Sequence, residues 1–190
     1  MAYLRGNLHA HTTFSDGARA PQRLVDEYEA LGYDFLAITD HDGHENWTEP
    51  AYADALDALA SRLLLFRGVE LDFVRLSQHV GKVVGDAETL YVLNHPARYR
   101  LTVDETIDRI HKIRRAGWPI EAIEITETGH YRPLYDTDEI PVVRIATDDA
   151  HRPPHFGRAW VEVHAARDRD AIIRAIRAGD FRVGFARPAS

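Results

Sequence analysis

Two features of the sequence predict a parallel α/β fold. Strand-like apolar runs alternate with helix-like stretches along its 190 residues, an order typical of parallel strands joined by crossover helices. Histidines and carboxylates directly follow several of the strand-like runs. Because the carboxyl ends of parallel strands meet at one end of a barrel, this placement favours a barrel over an open sheet, with the chemistry at that end.

The spacing of apolar residues places each element in chain order. Helices are predicted at residues 21–31, 49–62, 103–116 and 168–178. Strands are predicted at residues 3–4, 33–38, 63–70, 78–84, 91–94, 120–126, 142–146, 160–164 and 181–185. Pro21 suits a first helical turn, Gly32 ends that helix, and a Thr-x-x-Glu pattern at Thr102 predicts a capping box for the third helix. No internal repeat or linker interrupts this order, so residues 1–190 are predicted to form a single domain.

His9 and His11 stand two residues apart, directly after a short apolar segment. In a strand, such residues point to the same side of the sheet, so the two imidazoles converge. Asp16 follows in a Ser-Asp-Gly turn, where the chain can fold back and add a carboxylate. Neutral imidazole is the commonest protein metal ligand, so this stretch predicts half of a metal site. Taken alone, the pair is equally compatible with surface histidines before a turn.

Four more strand-like runs end in the same types of residue. They lead to His41, to Glu70, to His95, and to the pair Asp149 and His151. Each of these alone fits a loop histidine or a strand-end ion-pair partner, and their joint occurrence is what indicates a metal centre. The chain has no cysteine, so the ligands are nitrogen and oxygen atoms, which favours Mn, Fe or Zn.

In this order, the His-x-His, Thr-Asp-His, strand-end Glu, His-Pro and Asp-x-His motifs resemble the PHP family (polymerase and histidinol phosphatase domains) of metal-dependent phosphoesterases. The resemblance runs from His9 to His151 and is to the short stand-alone members. It implies an irregular, roughly seven-stranded (β/α) barrel, with the site at the C-terminal ends of the strands. Residues 124–130 depart from the family pattern. Because some members place a further ligand there, His130 is a candidate for that role.

The candidate ligands are too many for one ion. They are His9, His11, Asp16, His41, Glu70, His95, His130, Asp149 and His151. A carboxylate such as Glu70 can bridge two cations, so two or three divalent ions (Mn, Fe or Zn) are expected, roughly 3.5–4 Å apart. The resemblance likewise implies that Glu70 bridges and that hydroxide attacks phosphorus. Glu70, Asp149 and His130 form the candidate catalytic set.

Further side chains are expected around the ions. Asp40 and Asp148 are interpreted as carboxylates that orient ligating imidazoles. His79 follows a polar turn and is expected near the site. Arg19 and Arg98 flank motifs and are candidates to bind a substrate phosphate, although surface arginines fit the same pattern.

These residues predict a metal-dependent hydrolase, most simply a phosphoesterase acting on a small phosphoester or nucleotide. One alternative is hydrolysis of a carboxyl ester, amide or carbamate on the same cluster, and another is a non-catalytic, metal-stabilised binding module. An amidohydrolase usually needs a strand lysine that bridges two metals, or an equivalent ligand set, and the chain has only Lys82 and Lys112, the second in a predicted helix. The sequence contains neither a glycine-rich phosphate loop nor a G-x-S-x-G elbow.

Charge and hydropathy narrow the expected partners. The formal net charge is −7 and the basic residues are dispersed, so nucleic acid is expected only as a short oligonucleotide substrate. No apolar run approaches the ~20 residues of a membrane span, and no signal-peptide core follows the first residues. We therefore expect a cytoplasmic enzyme without membrane contact, acting on a small phosphorylated substrate, with the oligomeric state left open.

Overall fold

The computed structural model describes residues 3–43, 49–72 and 75–186. Within these ranges the strands are β1 (Tyr3–Asn7), β2 (Phe35–Ile38), β3 (Leu64–Leu71), β4 (Val80–Val84), β5 (Thr89–Leu93), β6 (Ala122–Glu124), β7 (Thr126–Glu127), β8 (His130–Tyr131), β9 (Val143–Ile145), β10 (Ala159–His164) and β11 (Phe181–Phe185). The helices are α1 (Pro21–Ala30), α2 (Glu49–Asp57), α3 (Val103–Arg115) and α4 (Arg169–Ala178). All four predicted helices are present in the structure, although α2 ends at Asp57 instead of residue 62.

Local sequence signals define the helix ends. The Thr102 hydroxyl accepts a hydrogen bond from the Glu105 amide at 3.2 Å, and the Glu105 carboxylate accepts one from the Thr102 amide at 2.8 Å, which confirms the predicted capping box. Asp168 caps α4 by accepting from the Ala171 amide, and Gly179 ends that helix with φ +75°. Within the described ranges, each helix is too short or too polar to cross a lipid bilayer.

Nine of the described strands form one mixed sheet, in the order β11-β10-β1-β2-β3-β4-β5-β6-β9. Strands β1, β2 and β3 are parallel to one another, as are β5, β6 and β9. Beyond the strand ends, Ala10 and Ala150 form a parallel bridge that links the extensions of β1 and β9. The seven strands from β1 to β6 and β9 therefore make a nearly closed barrel, which confirms the predicted irregular (β/α) barrel.

The irregularity lies in the antiparallel strands. Strand β4 runs antiparallel between β3 and β5, and the β10–β11 pair joins β1 in antiparallel register. Only residues 85–88 connect β4 to β5, which is too short for the crossover that parallel neighbours need. An apolar run reads the same in either direction, so strand periodicity did not reveal this reversal.

The barrel interior is apolar and is closed at one end by α4. Buried side chains from the barrel strands meet three isoleucines of α4 in one cluster, which includes Phe35, Ala37, Phe66, Val83, Leu90, Ala122, Ile145, Ile172, Ile173 and Ile176. The carboxylate of Asp170 in α4 also accepts hydrogen bonds from the amides of Asp86, Ala87 and Glu88 at 2.9–3.1 Å. Because residues 86–88 precede β5, α4 lies at the end of the barrel opposite the C-terminal end of that strand.

Candidate metal centre

Five strand ends place imidazoles and carboxylates together at the C-terminal end of the barrel. In chain order the side chains are His9 and His11 after β1, His41 after β2, Glu70 in β3, His95 after β5, and Asp149 and His151 after β9. His41 and Glu70 also form a parallel backbone bridge. The convergence of these seven side chains is what their strand-end positions predict.

Glu70 lies at the centre of the cluster and is buried. Its Oε2 atom is 3.2 Å from Nε2 of His9, 3.4 Å from Nε2 of His11 and 3.4 Å from Nε2 of His41. Three imidazole nitrogens from two strands thus face one carboxylate oxygen. This arrangement suits an oxygen that is shared between cations.

The other oxygen of Glu70 faces a different set of groups. Its Oε1 atom is 2.9 Å from Nε2 of His95 and 3.3 Å from Nδ1 of His79. The side-chain amide of Asn94 donates a hydrogen bond to the same oxygen at 2.7 Å. Glu70 therefore has imidazole nitrogens on both sides, as expected of a bridging carboxylate.

Asp149 supplies a second buried carboxylate. Its Oδ1 atom lies 3.5 Å from Nε2 of both His9 and His11 and 3.4 Å from Nδ1 of His151. Among the described residues this oxygen has no hydrogen-bond partner. The Nε2 atoms of His9 and His11 are only 3.0 Å apart. A buried oxygen without a partner next to two convergent imidazole nitrogens is a donor set that a divalent cation would satisfy.

The side chains of the cluster divide into an outer and an inner group. The outer group consists of His11, Asp16, His41 and His151, whose donor atoms lie within 4.8 Å of one another. Asp16 connects it, with Oδ1 3.6 Å from Nδ1 of His11 and 3.8 Å from Nε2 of His41, and Oδ2 3.2 Å from Nε2 of His151. The Asp16 side chain is 48% exposed and His11 is fully buried, so the outer group is open to solvent on the side of Asp16.

The inner group consists of His9, His95 and Glu124, all at most 2% exposed. Glu124 lies at the end of β6, and its Oε1 atom is 2.7 Å from Nδ1 of His9. Its Oε2 atom accepts a hydrogen bond from the backbone amide of His95 at 2.8 Å. Glu70 stands between the two groups and contacts members of both.

The cluster shifts the pKa values of its members in opposite directions. Burial alone would raise the pKa of Glu70, but His9, His79 and His95 hold it well below its usual value. Burial alone would lower the pKa of His9, but Glu70, Glu124 and the neighbouring Asp149 raise it well above its usual value. Glu70 therefore stays ionised, and in the absence of metal the neighbouring carboxylates retain a proton on His9. Bound cations would replace that proton.

Two ligand positions have strained backbones. His95 has φ +27° and Asp149 has φ +45°, a region that side chains other than glycine rarely adopt. Such positions cost of order 1–3 kcal/mol and persist when the surroundings hold them in place. His95 lies two residues after β5 and Asp149 four residues after β9, and the strained turns let both side chains join the cluster.

His79 joins the ligand cluster, and His130 does not. His79 forms a ligand group with His41 and Glu70. His130 is exposed, and its Nε2 atom lies 3.2 Å from Nη1 of Arg158. The turn through Thr128 and Gly129, both with positive φ, folds His130 back beside β7 as part of the β7–β8 hairpin. The geometry therefore favours His79 over His130 as the additional ligand.

The expected roles of Asp40 and Asp148 are wrong in detail. Asp40 is buried but accepts from the Thr12 amide and hydroxyl at 2.7 Å and from the Ser15 hydroxyl at 2.6 Å, so it holds the loop that carries Asp16. Asp148 accepts from the Tyr28 hydroxyl and from backbone amides near residue 157. Both carboxylates were close to ligands in sequence, but backbone and hydroxyl donors occupy their oxygens.

Two other carboxylates contact imidazoles, and the sequence analysis missed both. Glu124 contacts His9, and Asp72 lies 2.5 Å from Nδ1 of His41. Glu124 lies inside the predicted strand of residues 120–126, whereas the observed strand β6 ends at Glu124; with the correct strand end, the rule that identified Glu70 would have identified it as well. Asp72 follows Glu70 by two residues in an extended segment, a spacing that places both side chains on one face of the strand.

The two candidate substrate arginines lie outside the ligand groups. Arg19 donates from Nε to the Glu27 carboxylate at 2.9 Å, which limits its freedom to bind a phosphate. Arg98 is exposed at the end of the short turn that follows His95. Their roles in substrate binding stay predictions.

Comparison with known proteins places these residues in a family context. The PHP domain model matches residues 7–139, and the PHP-associated model matches residues 145–181. The chain is 30% identical over 157 residues to the 5'-3' exoribonuclease Rnm of Salmonella typhimurium, which covers 82% of this chain and 48% of that protein. Shorter matches connect it to bacterial DNA polymerases, of which it spans 15% or less. The chain thus spans half or less of these curated relatives.

Two solved structures share the fold. A two-domain protein from Bacteroides vulgatus that contains a predicted PHP-like metal-dependent phosphoesterase aligns over 96% of this chain and 65% of its own, with TM-score 0.74 and 19% identity. PsfC from Pseudomonas syringae aligns over 98% of this chain and 93% of its own, with TM-score 0.71 and 16% identity. At these identities the likeness concerns the barrel architecture alone.

Proposed function

The chain belongs to the PHP domain family, and we propose that it is a phosphoesterase that uses two or three divalent cations (Mn, Fe or Zn) to hydrolyse a small phosphoester or nucleotide. The observation that carries this proposal is Glu70, whose two oxygens face imidazoles on opposite sides. A single ion would leave one of these sides without a metal. Residues 1–190 are proposed to act as one PHP-like domain, and the cytoplasm remains the proposed location.

The residues divide the work between holding ions and admitting substrate. Cations bound at this centre supply Lewis acidity and lower the pKa of bound water towards neutrality. Glu70 and Asp149 would supply anionic oxygens to those cations, while His9 and His95 lie on the buried side. Asp16 and His151 are partly exposed, at 48% and 22%. Substrate is therefore proposed to approach over the outer group.

The proposed substrate is a nucleotide or a short oligonucleotide. Similarity to an exoribonuclease over 82% of this chain supports a phosphodiester of this kind. The net charge of −7 opposes binding of a long polyanion, whereas cations at the centre would attract one or two phosphates locally. This combination favours a substrate held mainly at its reacting phosphate.

The test is a substrate panel on protein treated with a chelator and then reloaded. The panel contains a phosphomonoester, a generic phosphodiester, nucleotides, a short oligoribonucleotide, a carboxyl ester and an amide, each with Mn²⁺, Zn²⁺ or Fe²⁺. We expect turnover of at least one phosphoester, lost with the chelator and restored by metal, with two or more ions per chain. Turnover of the carboxyl ester or amide alone would overturn the proposal, as would fully loaded protein that hydrolyses no member of the panel.

A further inference from the structure

Glu124 has a position in the centre that the bridging role of Glu70 does not explain. Its carboxylate is 1% exposed and makes three close contacts. Its Oε1 atom is 2.7 Å from Nδ1 of His9 and 2.5 Å from the hydroxyl oxygen of Thr147, and its Oε2 atom accepts from the His95 amide at 2.8 Å. A buried carboxylate with this many partners is held in one orientation.

The three partners come from three separate ligand-bearing segments. His9 follows β1, His95 follows β5, and Thr147 lies two residues before Asp149, beyond β9. Glu124 therefore ties together, from a fourth strand, the segments that carry three different candidate ligands. Its bond to the His95 amide also holds a residue whose backbone is strained at φ +27°.

The contact with His9 determines which ring nitrogen is free to bind a cation. An ionised carboxylate only accepts hydrogen bonds, so Nδ1 of His9 carries the proton that points at Glu124. In the neutral ring the lone pair is then on Nε2. That atom is the one that lies 3.2 Å from Glu70 and 3.5 Å from Asp149, inside the cluster.

We propose that Glu124 is a positioning residue that fixes the Nδ1-protonated tautomer of His9 and the backbone of His95, so that both imidazoles present Nε2 to the cations. Carboxylates that orient ligating histidines in this way typically change metal affinity or activity by about 10–100-fold when removed. The inference rests on the metal-dependent function proposed above, but it is tested without substrate, so the two can fail separately.

Hydrogen bonding distinguishes this role from that of a metal ligand. A backbone amide can only donate, so it occupies Oε2 of Glu124, and the Thr147 hydroxyl and the His9 ring occupy Oε1. The carboxylate already has three partners, against roughly four acceptor sites on an ionised carboxylate. One acceptor site therefore remains, on Oε2 beside the His95 amide, whereas the oxygen nearer His9 is filled by the ring and the Thr147 hydroxyl.

Glu124→Gln tests the tautomer specifically. The His95 amide needs an acceptor, so the amide oxygen of Gln would take the Oε2 position and its NH₂ group would face Nδ1 of His9. His9 could then accept that hydrogen bond only with its proton on Nε2, the nitrogen directed at the cations. The substitution keeps the size of the side chain while reversing the tautomer that metal binding needs.

The experiment uses the full chain labelled with ¹⁵N-histidine and titrated with Zn²⁺ alone. Wild-type protein is expected to show a slowly exchanging Nδ1–H of His9 in the loaded state. Glu124→Gln is expected to lose that signal and to bind Zn²⁺ about 10–100-fold more weakly. Glu121→Gln is the matched control, because Glu121 lies three residues earlier and pairs with Arg177 instead. It is expected to keep both the signal and the affinity.

Glu124→Asp tests whether the negative charge is sufficient, or whether the distance of the carboxylate from His9 also matters. It keeps an anionic acceptor but retracts it by one methylene, so we expect the His9 signal to remain and Zn²⁺ affinity to lie between those of wild type and Glu124→Gln. If the amide variant fails to fold, this variant decides, and wild-type affinity in it would overturn the proposal. Unchanged affinity or signal in Glu124→Gln would overturn it too. So would loss of one equivalent of Zn²⁺ with the His9 signal intact, which would make Glu124 a direct ligand.

Discussion

The inner and outer groups of the metal centre use the same chemistry in two different environments. Each contains an imidazole whose Nδ1 faces a carboxylate, His9 with Glu124 at 2.7 Å and His41 with Asp72 at 2.5 Å. Glu124 is 1% exposed, whereas Asp72 is 21% exposed and Asp16 is 48% exposed. The buried pair has no access to water, while water can replace a lost partner in the open pair.

The difference in exposure suggests different roles for the inner and outer groups in the proposed metal centre. In the inner group both oxygens of Glu124 and Nδ1 of His9 have protein partners, so the loss of one would leave a buried polar group unsatisfied and would loosen the geometry. Under the proposed function the outer group would provide access, because Asp16 and His151 are partly exposed and a cation held there would be open to solvent and substrate. Glu70 contacts both groups. Substitutions at Glu70, at Asp16 in the outer group and at Asp72 beside that group should therefore have effects of different size on activity and metal binding.

The largest effect is expected from Glu70→Gln, which affects both groups at once. The amide keeps the size of the side chain but loses the charge and one good donor, so the ions should loosen on both sides. We expect a rate loss on the order of a hundredfold or more on a phosphodiester at saturating Mn²⁺, with an unchanged circular dichroism spectrum. His111→Gln, an exposed position on α3, is the control. Near wild-type activity in Glu70→Gln, or an equal loss in the control, would refute the bridging role.

Metal removal should destabilise the protein, and more so at high pH. The pKa values of His9, His95 and His151 are raised above 6.5 in the folded protein. In metal-free protein their contribution to stability is therefore fully present below pH 6.5 and is lost as the pH rises through the folded values. Metal binding has the opposite dependence, since it needs deprotonated imidazoles.

We therefore expect the melting temperature of loaded protein to exceed that of chelated protein by a margin that widens from pH 6.5 to about pH 9. At free metal about 100 times Kd, the stabilisation would be about 2.7 kcal/mol. Thermal melts at several pH values, with metal loss confirmed by elemental analysis, measure this margin. A margin that shrinks as the pH rises would contradict the charge arrangement described for the cluster.

An intermediate effect is expected from Asp16→Asn in the outer group. Asp16 contacts His11, His41 and His151, so under the proposed function its charge would hold one ion near solvent. We expect loss of about one metal equivalent and a rate loss of about tenfold or more, while the ions of the inner side stay bound. Asp26→Asn, on the surface of α1, should change neither quantity. Loss of every ion in the Asp16 variant would show that the two groups do not load separately.

The smallest effect is expected from Asp72→Asn. Asp72 repeats the role proposed for Glu124 but at a partly exposed position, where water can take its place beside Nδ1 of His41. We expect Zn²⁺ affinity to fall by less than about tenfold, the lower end of the range for carboxylates that orient histidine ligands. Zinc titrations of Asp72→Asn and Glu124→Gln in parallel make the comparison. If Asp72→Asn lost more Zn²⁺ affinity than Glu124→Gln, the outer group and not the inner group would be the one whose geometry is fixed.

Much of the fold and most of the cluster could be predicted from the sequence. Helix limits depend on local signals such as the Thr102 capping box, and strand periodicity depends on residues two apart. The strand-end positions of His9, Glu70 and Asp149 then imply that they meet, because parallel strands end together. The prediction requires that these strands run parallel, but it does not require knowing which strands are neighbours in the sheet. It was therefore correct for these residues.

The tertiary structure alone decided which partner each group received. Strand β4 runs antiparallel to β3, and β10 runs antiparallel to β1. The apolar pattern of a strand is the same in both directions, so the sequence pattern does not show which way the strand runs. Glu124 meets His9 across 115 residues. Asp40 and Asp148 are adjacent in sequence to candidate ligands, but their carboxylates accept hydrogen bonds from hydroxyls and backbone amides and not from imidazoles. Local pattern fixes the face of a strand on which a side chain lies, but hydrogen-bond partners depend on which strands pack together, and that is a property of the assembled barrel.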